Sequence, residues 1–193
     1  RLARRGMRGY PSLSLHIIDH AMNPTDDNIA RNTGEFELID RLRAILGNPP
    51  EGSIAPSGEV VVGNGDDCAA VRRGDFIDVY TTDTMVDGIH FKSSEIIATD
   101  LGWKAMAVNL SDIAAMGAMP SHSLVTLGLP RGVSDRFLEG VYDGVASITS
   151  KFGGAVIGGD IISAPELFIS VTAIGYVESH DRAGSDLTGG LLV

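Results

Sequence analysis

The 193-residue chain has one cysteine, one tryptophan and no long hydrophobic run. A single cysteine, Cys68, excludes an intrachain disulfide framework and a zinc or iron–sulfur site built from several cysteines. The 18 or more consecutive apolar residues that a membrane-spanning helix needs are absent, so we expect no membrane partner. A protein without disulfides suits a reducing compartment, and the cytoplasm is the expected location.

Positive charge is also scarce. Lysine and arginine total 15 against 25 aspartate and glutamate residues, which gives a formal net charge of −10. A nucleic-acid-binding surface needs clustered positive charge, and the body of the chain has no such cluster, so we expect no nucleic-acid partner. If the ligand is an anion such as a nucleotide, a divalent metal ion is the usual means of cancelling the repulsion.

The spacing of apolar residues predicts an α/β domain, or an α+β layer, in which a mixed sheet carries two main helices on one face. Helices are predicted over residues 35–46, over 100–116 after an N-cap at Thr99, and from the N-cap Ser134 to Gly153. Strands are predicted over residues 59–62, 76–82, 123–129, 155–157 and 167–177.

Acidic residues recur beside glycines and at the predicted ends of strands. The acids in question are Asp66 and Asp67 in a glycine turn, Asp83 after Thr81 and Thr82, Asp112 inside a predicted helix, and Asp160 after a Gly-Gly pair. Acids at strand ends gather at one edge of a sheet, where ligand sites of α/β proteins form. Their hard oxygen ligands suit Mg²⁺. Acids also favour turns for conformational reasons alone, and that alternative stays open.

Two nucleotide-binding motifs can be compared with the glycine-rich turns. Residues 63–68 fall one residue short of the dinucleotide fingerprint, because Cys68 replaces its third glycine. Two carboxylates in that turn would repel a pyrophosphate unless metal intervened, so the dinucleotide interpretation is disfavoured. No glycine-rich turn is followed by Lys-Ser or Lys-Thr, and a P-loop kinase is disfavoured as well.

Taken together, these segments resemble the thiamine-monophosphate kinases, which share a superfamily with aminoimidazole-ribotide synthetase and selenophosphate synthetase. The resemblance is collinear and covers about residues 33–182. It runs through GEFELI from Gly34, GDDCAAV from Gly65, TTDTMVDGIHF from Thr81, GWKA from Gly102, NLSDIAAMGA from Asn109 and GGD from Gly158.

The resemblance implies transfer of a phosphoryl group from ATP to thiamine monophosphate, giving thiamine diphosphate. It implies that several Mg²⁺ ions are bound by Asp67, Thr81, Thr82, Asp83, Asp112 and Asp160, with Asp83 and Asp112 central to catalysis. It assigns contacts with the nucleotide to Tyr142, Gly159, Asp160 and Arg182. His90 would contact the thiamine substrate.

The resemblance also implies a domain organisation. Residues 1–32 are expected to be a disordered or non-native leader, and residues 33–178 an amino-terminal domain that binds ATP and Mg²⁺ and dimerises through its strands. Residues 179–193 would begin a truncated carboxy-terminal domain. The alternating strand over 167–177 would suit an edge covered by the partner of a homodimer.

Two alternative functions remain at the level of sequence. A sibling enzyme that uses ATP on another substrate, of the aminoimidazole-ribotide or selenophosphate type, would share the arrangement of metal-binding acids. A non-catalytic dimerisation or metal-binding fragment is the alternative outside enzymes. The segment around His90 favours the thiamine-monophosphate kinases among the siblings.

Overall fold

The computed structural model describes residues 35–47, 54–55, 58–63 and 66–178. The chain divides into two compact units, Arg1–Ile45 and Leu46–Val193. The predicted leader over residues 1–32, the segment 179–193 and Arg182 lie outside the described residues.

Helix α1 spans Glu35–Leu46, as the sequence predicts. Arg43 lies in its last turn, where a cation complements the helix dipole, and its guanidinium is 3.5 Å from the Asp40 carboxylate one turn earlier. The helix ends before Gly47, which takes a positive φ of 63°. Local sequence signals therefore set both the type and the end of this element.

The second unit contains a seven-stranded sheet and two long helices. The strands are β1 (Ile54–Ala55), β2 (Gly58–Val62), β3 (Ala69–Arg73), β4 (Phe76–Val86), β5 (Met119–Leu129), β6 (Ala155–Ser163) and β7 (Phe168–Glu178). The helices are α2 (Ala98–Ala115) and α3 (Asp135–Phe152). Within the described residues, no helix combines the length and the apolar character needed to cross a membrane.

The strand order is β1-β2-β3-β4-β7-β5-β6, and the sheet is mixed. Only the β5–β6 pair is parallel among the described strand pairs; the others are antiparallel. Strand β7 therefore lies inside the sheet, between β4 and β5, and the expectation that it forms an edge is wrong. Alternation of apolar and polar residues indicates that one face of a strand is covered, but it does not indicate which strands lie beside it.

Both long helices lie on the same face of the sheet, as predicted. Alternate residues of the central strands point under them, and their apolar side chains pack in two clusters, a smaller one with the end of α2 and a larger one with α2 and α3. The fully buried members include Leu101, Met106, Val125, Leu127, Ile148, Ile169 and Val171. The opposite face of β4 and β7 is polar: the Thr82 and Thr172 hydroxyls are 3.1 Å apart, and Thr84 donates to Ser170 at 2.8 Å.

Several predicted boundaries need correction. Strand β4 continues to Val86 and β6 to Ser163, so Asp83 and Asp160 lie within strands rather than at their ends. Helix α2 starts at Ala98 with Ile97 as its N-cap, without a side-chain cap, and the predicted cap Thr99 is a helical residue. The cap of α3 is confirmed, because the Phe137 amide donates to the Ser134 hydroxyl at 3.2 Å.

Two glycines allow α2 and α3 to approach closely. A Cβ atom at Gly102 would lie 1.8 Å from the Val141 carbonyl oxygen, and one at Gly144 would lie 1.9 Å from the Thr99 carbonyl oxygen. Both contacts are with backbone, which cannot move aside as the end of a side chain can. The helix–helix distance therefore depends on these two positions, and with it the placement of α2 on the sheet.

A Gly144→Ala substitution is expected to destabilise the protein by about 2 kcal/mol or more, because overpacking forces the two helices apart. Alanine inside a helix ordinarily stabilises relative to glycine by about 0.5–1 kcal/mol, so the expected sign is reversed. Urea unfolding monitored by circular dichroism measures the change. Ser147→Ala, at an exposed position of the same helix, is the control and is expected to change stability little. A Gly144→Ala protein as stable as the wild type would contradict the packing argument.

Candidate functional site

A hydrogen bond between a strand and a helix organises the group of acids. The Thr81 hydroxyl on β4 donates to a carboxylate oxygen of Asp112 on α2 at 2.8 Å. Because side chains alternate along a strand, Thr81 and Asp83 share the face of β4 that α2 covers. The site thus begins with one carboxylate on the helix, one on the strand and a hydroxyl bonded to the first of them.

The pKa of the Asp112 carboxyl is raised above its ordinary value. The main cause is removal from water at the helix–sheet contact, and the negative charges of Asp83 and Asp67 add to it, while the hydrogen bond from Thr81 acts in the opposite direction. None of the described ion pairs involves these three acids. The group therefore concentrates negative charge without an internal cation.

Cys68 lies in the middle of this group. Its side chain is only 2% exposed, and burial raises its pKa to about 12, with further contributions from the charges of Asp112, Asp67 and Asp66. A thiol with that pKa stays protonated at neutral pH and is a poor nucleophile and a poor metal ligand. Cys68 packs in the apolar cluster that includes Val62, Ala70 and Ile113.

The donor set fits Mg²⁺ in its chemistry, since Asp67, Asp83, Asp112 and the Thr81 hydroxyl all offer hard oxygen ligands. A cation among them would also relieve the repulsion that raises the Asp112 pKa. In the described ranges, no three carboxylate, imidazole or thiol groups converge tightly enough to hold an ion by themselves. Mg²⁺ usually keeps several waters and binds through a few carboxylates together with substrate phosphates, and such a site is open by nature.

Two of the predicted metal ligands lie elsewhere on the sheet. Thr82 points to the polar face, away from α2, where its hydroxyl donates to the Val171 carbonyl at 3.2 Å. Asp160 on β6 is paired with Thr126 and is exposed. Strands β4 and β6 are separated by β7 and β5, which puts Asp160 about 14 Å across the sheet from β4. The structure does not bring Thr82 or Asp160 to the group around Asp112.

Gly159 has a role within the sheet itself. A Cβ atom there would lie 1.8 Å from the Val125 carbonyl oxygen of the neighbouring strand. The β5–β6 register shifts between Ser123 and Leu124, and the glycine permits the close approach of the two backbones next to that irregularity. Gly159 is thus required for sheet packing before any ligand is considered.

The remaining predicted contacts occupy separate positions. His90 lies in the turn after β4, and Tyr142 is exposed on α3. None of the described hydrogen bonds joins either side chain to Asp112 or Asp83. Arg182 lies outside the described residues.

Two polar residues with a structural part in this region were not singled out from the sequence. Lys104 on α2 donates to the His90 carbonyl oxygen at 2.9 Å. Asn109, which is fully buried on α2, donates to the Ala105 carbonyl at 3.0 Å, and its Oδ1 has no hydrogen-bond partner within the described residues. Asn109 could have been recognised from the sequence as an asparagine between two apolar residues, Val108 and Leu110, in a helix that is otherwise largely apolar.

Comparison with known families gives a match over most of the second unit. Residues 65–177 match the family described as AIR synthase related protein, N-terminal domain. The matched region contains Asp67, Thr81, Asp83 and Asp112 together with the strands and helices that position them.

Curated relatives and solved structures give the same picture. The chain is 41% identical over 129 residues to the thiamine-monophosphate kinase of Rhodopirellula baltica, covering 62% of this chain and 41% of that protein. It is 35% identical over 162 residues to that of Mycobacterium tuberculosis, covering 84% and 46%. The solved structure of AaThiL complexed with AMPPCP and TMP superposes with a TM-score of 0.65 at 32% identity, covering 75% of this chain and 42% of that one. The chain spans less than half the length of these relatives.

Asp112→Asn is expected to raise the melting temperature in buffer that contains EDTA. The amide removes a charge that is partly buried and repelled by Asp83 and Asp67, while its oxygen still accepts the Thr81 hydrogen bond. Asp87→Asn is the matched control, and it is expected to lower the melting temperature. Hydrogen bonds from the Ser93 side chain and amide lower the Asp87 pKa, so its charge is stabilised in the folded state. A lower melting temperature for Asp112→Asn than for wild type would contradict the picture of uncompensated charge.

Proposed function

The chain belongs to the AIR synthase related protein family through its N-terminal domain, and from that premise we propose that it serves the ATP-dependent phosphorylation of thiamine monophosphate to thiamine diphosphate. The curated relatives at 41% and 35% identity are thiamine-monophosphate kinases. A neighbouring solved structure holds AMPPCP, an analogue of ATP, together with TMP. ATP and thiamine monophosphate are therefore the proposed substrates.

One observation carries the proposal: the hydrogen bond from Thr81 to Asp112, with Asp67 and Asp83 close enough to raise the Asp112 pKa. An enzyme that joins two polyanions would gain nothing from bare carboxylates, which repel phosphates. Carboxylates become useful when they hold divalent cations, and the cations then hold the phosphates. The uncompensated negative charge of the group is the state expected of residues that receive metal.

The residues proposed to hold Mg²⁺ at this group are Asp67, Thr81, Asp83 and Asp112. When bound, Mg²⁺ would neutralise phosphate charge and orient the two substrates, the contributions that dominate phosphoryl transfer. The acceptor is a phosphate oxygen that is already anionic at neutral pH. No residue has to remove a proton from it, so the carboxylates of the proposed group are left to hold metal rather than to act as bases.

The other proposed roles follow the resemblance. Thr82 and Asp160 are proposed as further ligands of Mg²⁺, at positions apart from the group around Asp112. Tyr142, Gly159, Asp160 and Arg182 are proposed to contact the nucleotide, and His90 the thiamine substrate. The close packing of Gly159 against Val125 accounts for the glycine through the sheet, so its contact with the nucleotide rests on the resemblance.

We further propose that the protein is a homodimer that pairs through the polar face of the sheet. The helices cover one face, and the other presents Thr82, Thr84, Ser170 and Thr172 on the two central strands. Apolar side chains accompany them toward the β6 edge, where Leu124 and Ile162 are 40% and 44% exposed. A second copy would bury this face and the exposed edge strand together.

Asp112→Asn is expected to lower kinase turnover in the full-length protein at least about 100-fold, the scale of losing one preorganised electrostatic contact to the transition state. The assay follows thiamine diphosphate formation from ATP and thiamine monophosphate at saturating Mg²⁺. Asp100→Asn is the control: the same substitution on the same helix, in its exposed first turn, is expected to leave turnover unchanged. Near-normal turnover in a folded Asp112→Asn protein would remove Asp112 from the proposed site.

Titration calorimetry with AMPPCP tests the metal without requiring turnover. Binding is expected only in the presence of Mg²⁺, and it is expected to weaken in Asp83→Asn. Equal binding with Mg²⁺ and with EDTA would contradict the proposal that the acids act through metal.

Thr172→Glu is expected to shift the protein from dimer to monomer in sedimentation velocity, because it places a charge in the middle of the polar face of the sheet. Ser147→Glu on the exposed side of α3 is the control and is expected to leave the dimer intact. A wild-type protein that sediments as a monomer at micromolar concentration would contradict the dimer proposal.

A further inference from the structure

The turn after β4 is held in one conformation by several short contacts. The Gly88 amide donates to the Phe91 carbonyl at 2.8 Å, and the His90 amide donates to the Val86 carbonyl at 2.9 Å. Phe91 is buried in the core beneath the helices and anchors the far side of the turn. His90 is exposed at its tip, so the side chain reaches solvent from a backbone that is fixed on both sides.

A hydrogen bond to the His90 imidazole also determines which of its ring nitrogens carries the proton. The Val86 amide donates to Nδ1 of His90 at 3.0 Å. Nδ1 can accept that bond only while it carries no proton, so the neutral ring bears its proton on Nε2. The turn therefore presents His90 as a hydrogen-bond donor through Nε2, and the hydrogen bond to Nδ1 fixes the orientation of the ring.

Lys104 ties this turn to helix α2. Its ammonium nitrogen donates to the His90 carbonyl oxygen at 2.9 Å. Lys104 takes part in none of the ion pairs formed among the described residues, so its contact with the turn is made through a neutral acceptor. Such a bond from a charged donor is stronger than one between neutral groups.

Helix α2 carries both Lys104 and Asp112. The two residues are eight positions apart, which places their Cα atoms about 12 Å from each other along the helix axis. The helix is packed against the sheet by Leu101, Met106 and Ile113, all buried, so it behaves as one rigid body. A contact that fixes the His90 turn to α2 also fixes it relative to the acids around Asp112.

We propose that Lys104 is a positioning residue for the acceptor substrate: it holds the His90 turn on α2, and thereby sets the orientation of the His90 imidazole relative to the proposed metal-binding acids. The inference deepens the proposed function and depends on it for the identity of the substrate. Lys104 is not proposed to touch the reacting atoms.

The kinetic test compares Lys104→Met with Lys104→Arg in the full-length protein. Methionine keeps the apolar stem and is one atom shorter, and it removes the charge and the donor, whereas arginine keeps both. Lys104→Met is expected to raise the KM for thiamine monophosphate about tenfold, the lower range for losing a charged hydrogen bond, with the KM for ATP unchanged. Lys104→Arg is expected to restore most of the loss. Lys92→Met is the control, because Lys92 lies in the same loop and is paired with Glu95 in an exposed contact.

The structural test reads the His90 ring directly. Long-range ¹H–¹⁵N correlation spectra of the wild type, with the His90 signal assigned by comparison with His90→Gln, are expected to show the Nε2-protonated form with Nδ1 hydrogen-bonded. In Lys104→Met the signal is expected to move toward a mixture of the two neutral tautomers, and in Lys104→Arg it is expected to return. A purely structural role in fold stability would not change this signature at constant melting temperature.

The two tests separate the possible failures. An unchanged His90 spectrum in Lys104→Met overturns the proposal even if the KM rises, since Lys104 would then act on the substrate directly. An altered spectrum with an unchanged KM overturns it too, because the turn would then not affect the acceptor. If the wild type does not phosphorylate thiamine monophosphate, the proposed function fails, and the spectrum alone decides whether Lys104 positions His90.

Discussion

The contact between α2 and β4 is the constraint on which the rest of this unit depends. It brings Asp112 over Thr81, it places Cys68 below the acids, and through Lys104 it reaches the turn after β4. The contact requires α2 to sit close to the sheet and to α3 at once. Gly102 and Gly144 make the second condition possible, since no other residue could occupy either position without a clash with backbone.

The sequence was sufficient for elements whose signals are local. The span of α1 and the Ser134 cap of α3 depend on helical spacing and on one hydroxyl, and both were predicted correctly. The lengths of β4 and β6 were underestimated, because threonines, glycines and aspartates inside them resemble the end of a strand. Thr82 and Asp160 lie on the face away from the helices, which tolerates polar residues, whereas Thr81 and Asp83 face α2 and belong to the group around Asp112.

The site was predictable as a set of residues but not as a geometry. Asp67, Asp83 and Asp112 could be singled out from the sequence, and the structure places their charges near one another. Thr82 and Asp160 could not be located in the same way, because side chains one residue apart on a strand point to opposite faces. Strand order decided the distance to Asp160, and strand order is set by long-range pairing that no local pattern encodes.

Asp87 and Asp112 show how the fold separates a structural carboxylate from one that is available to a ligand. Asp87 accepts hydrogen bonds from the Ser93 amide and hydroxyl, which lower its pKa, so its charge is already stabilised by the loop that it organises. Asp112 receives a single hydrogen bond, and burial and two like charges raise its pKa. A carboxylate in the situation of Asp112 carries a negative charge that no neighbouring positive charge in the described part of the chain neutralises. The same residue type thus closes a turn at Asp87, where hydrogen bonds lower its pKa, and carries an uncompensated charge at Asp112, where burial and like charges raise it.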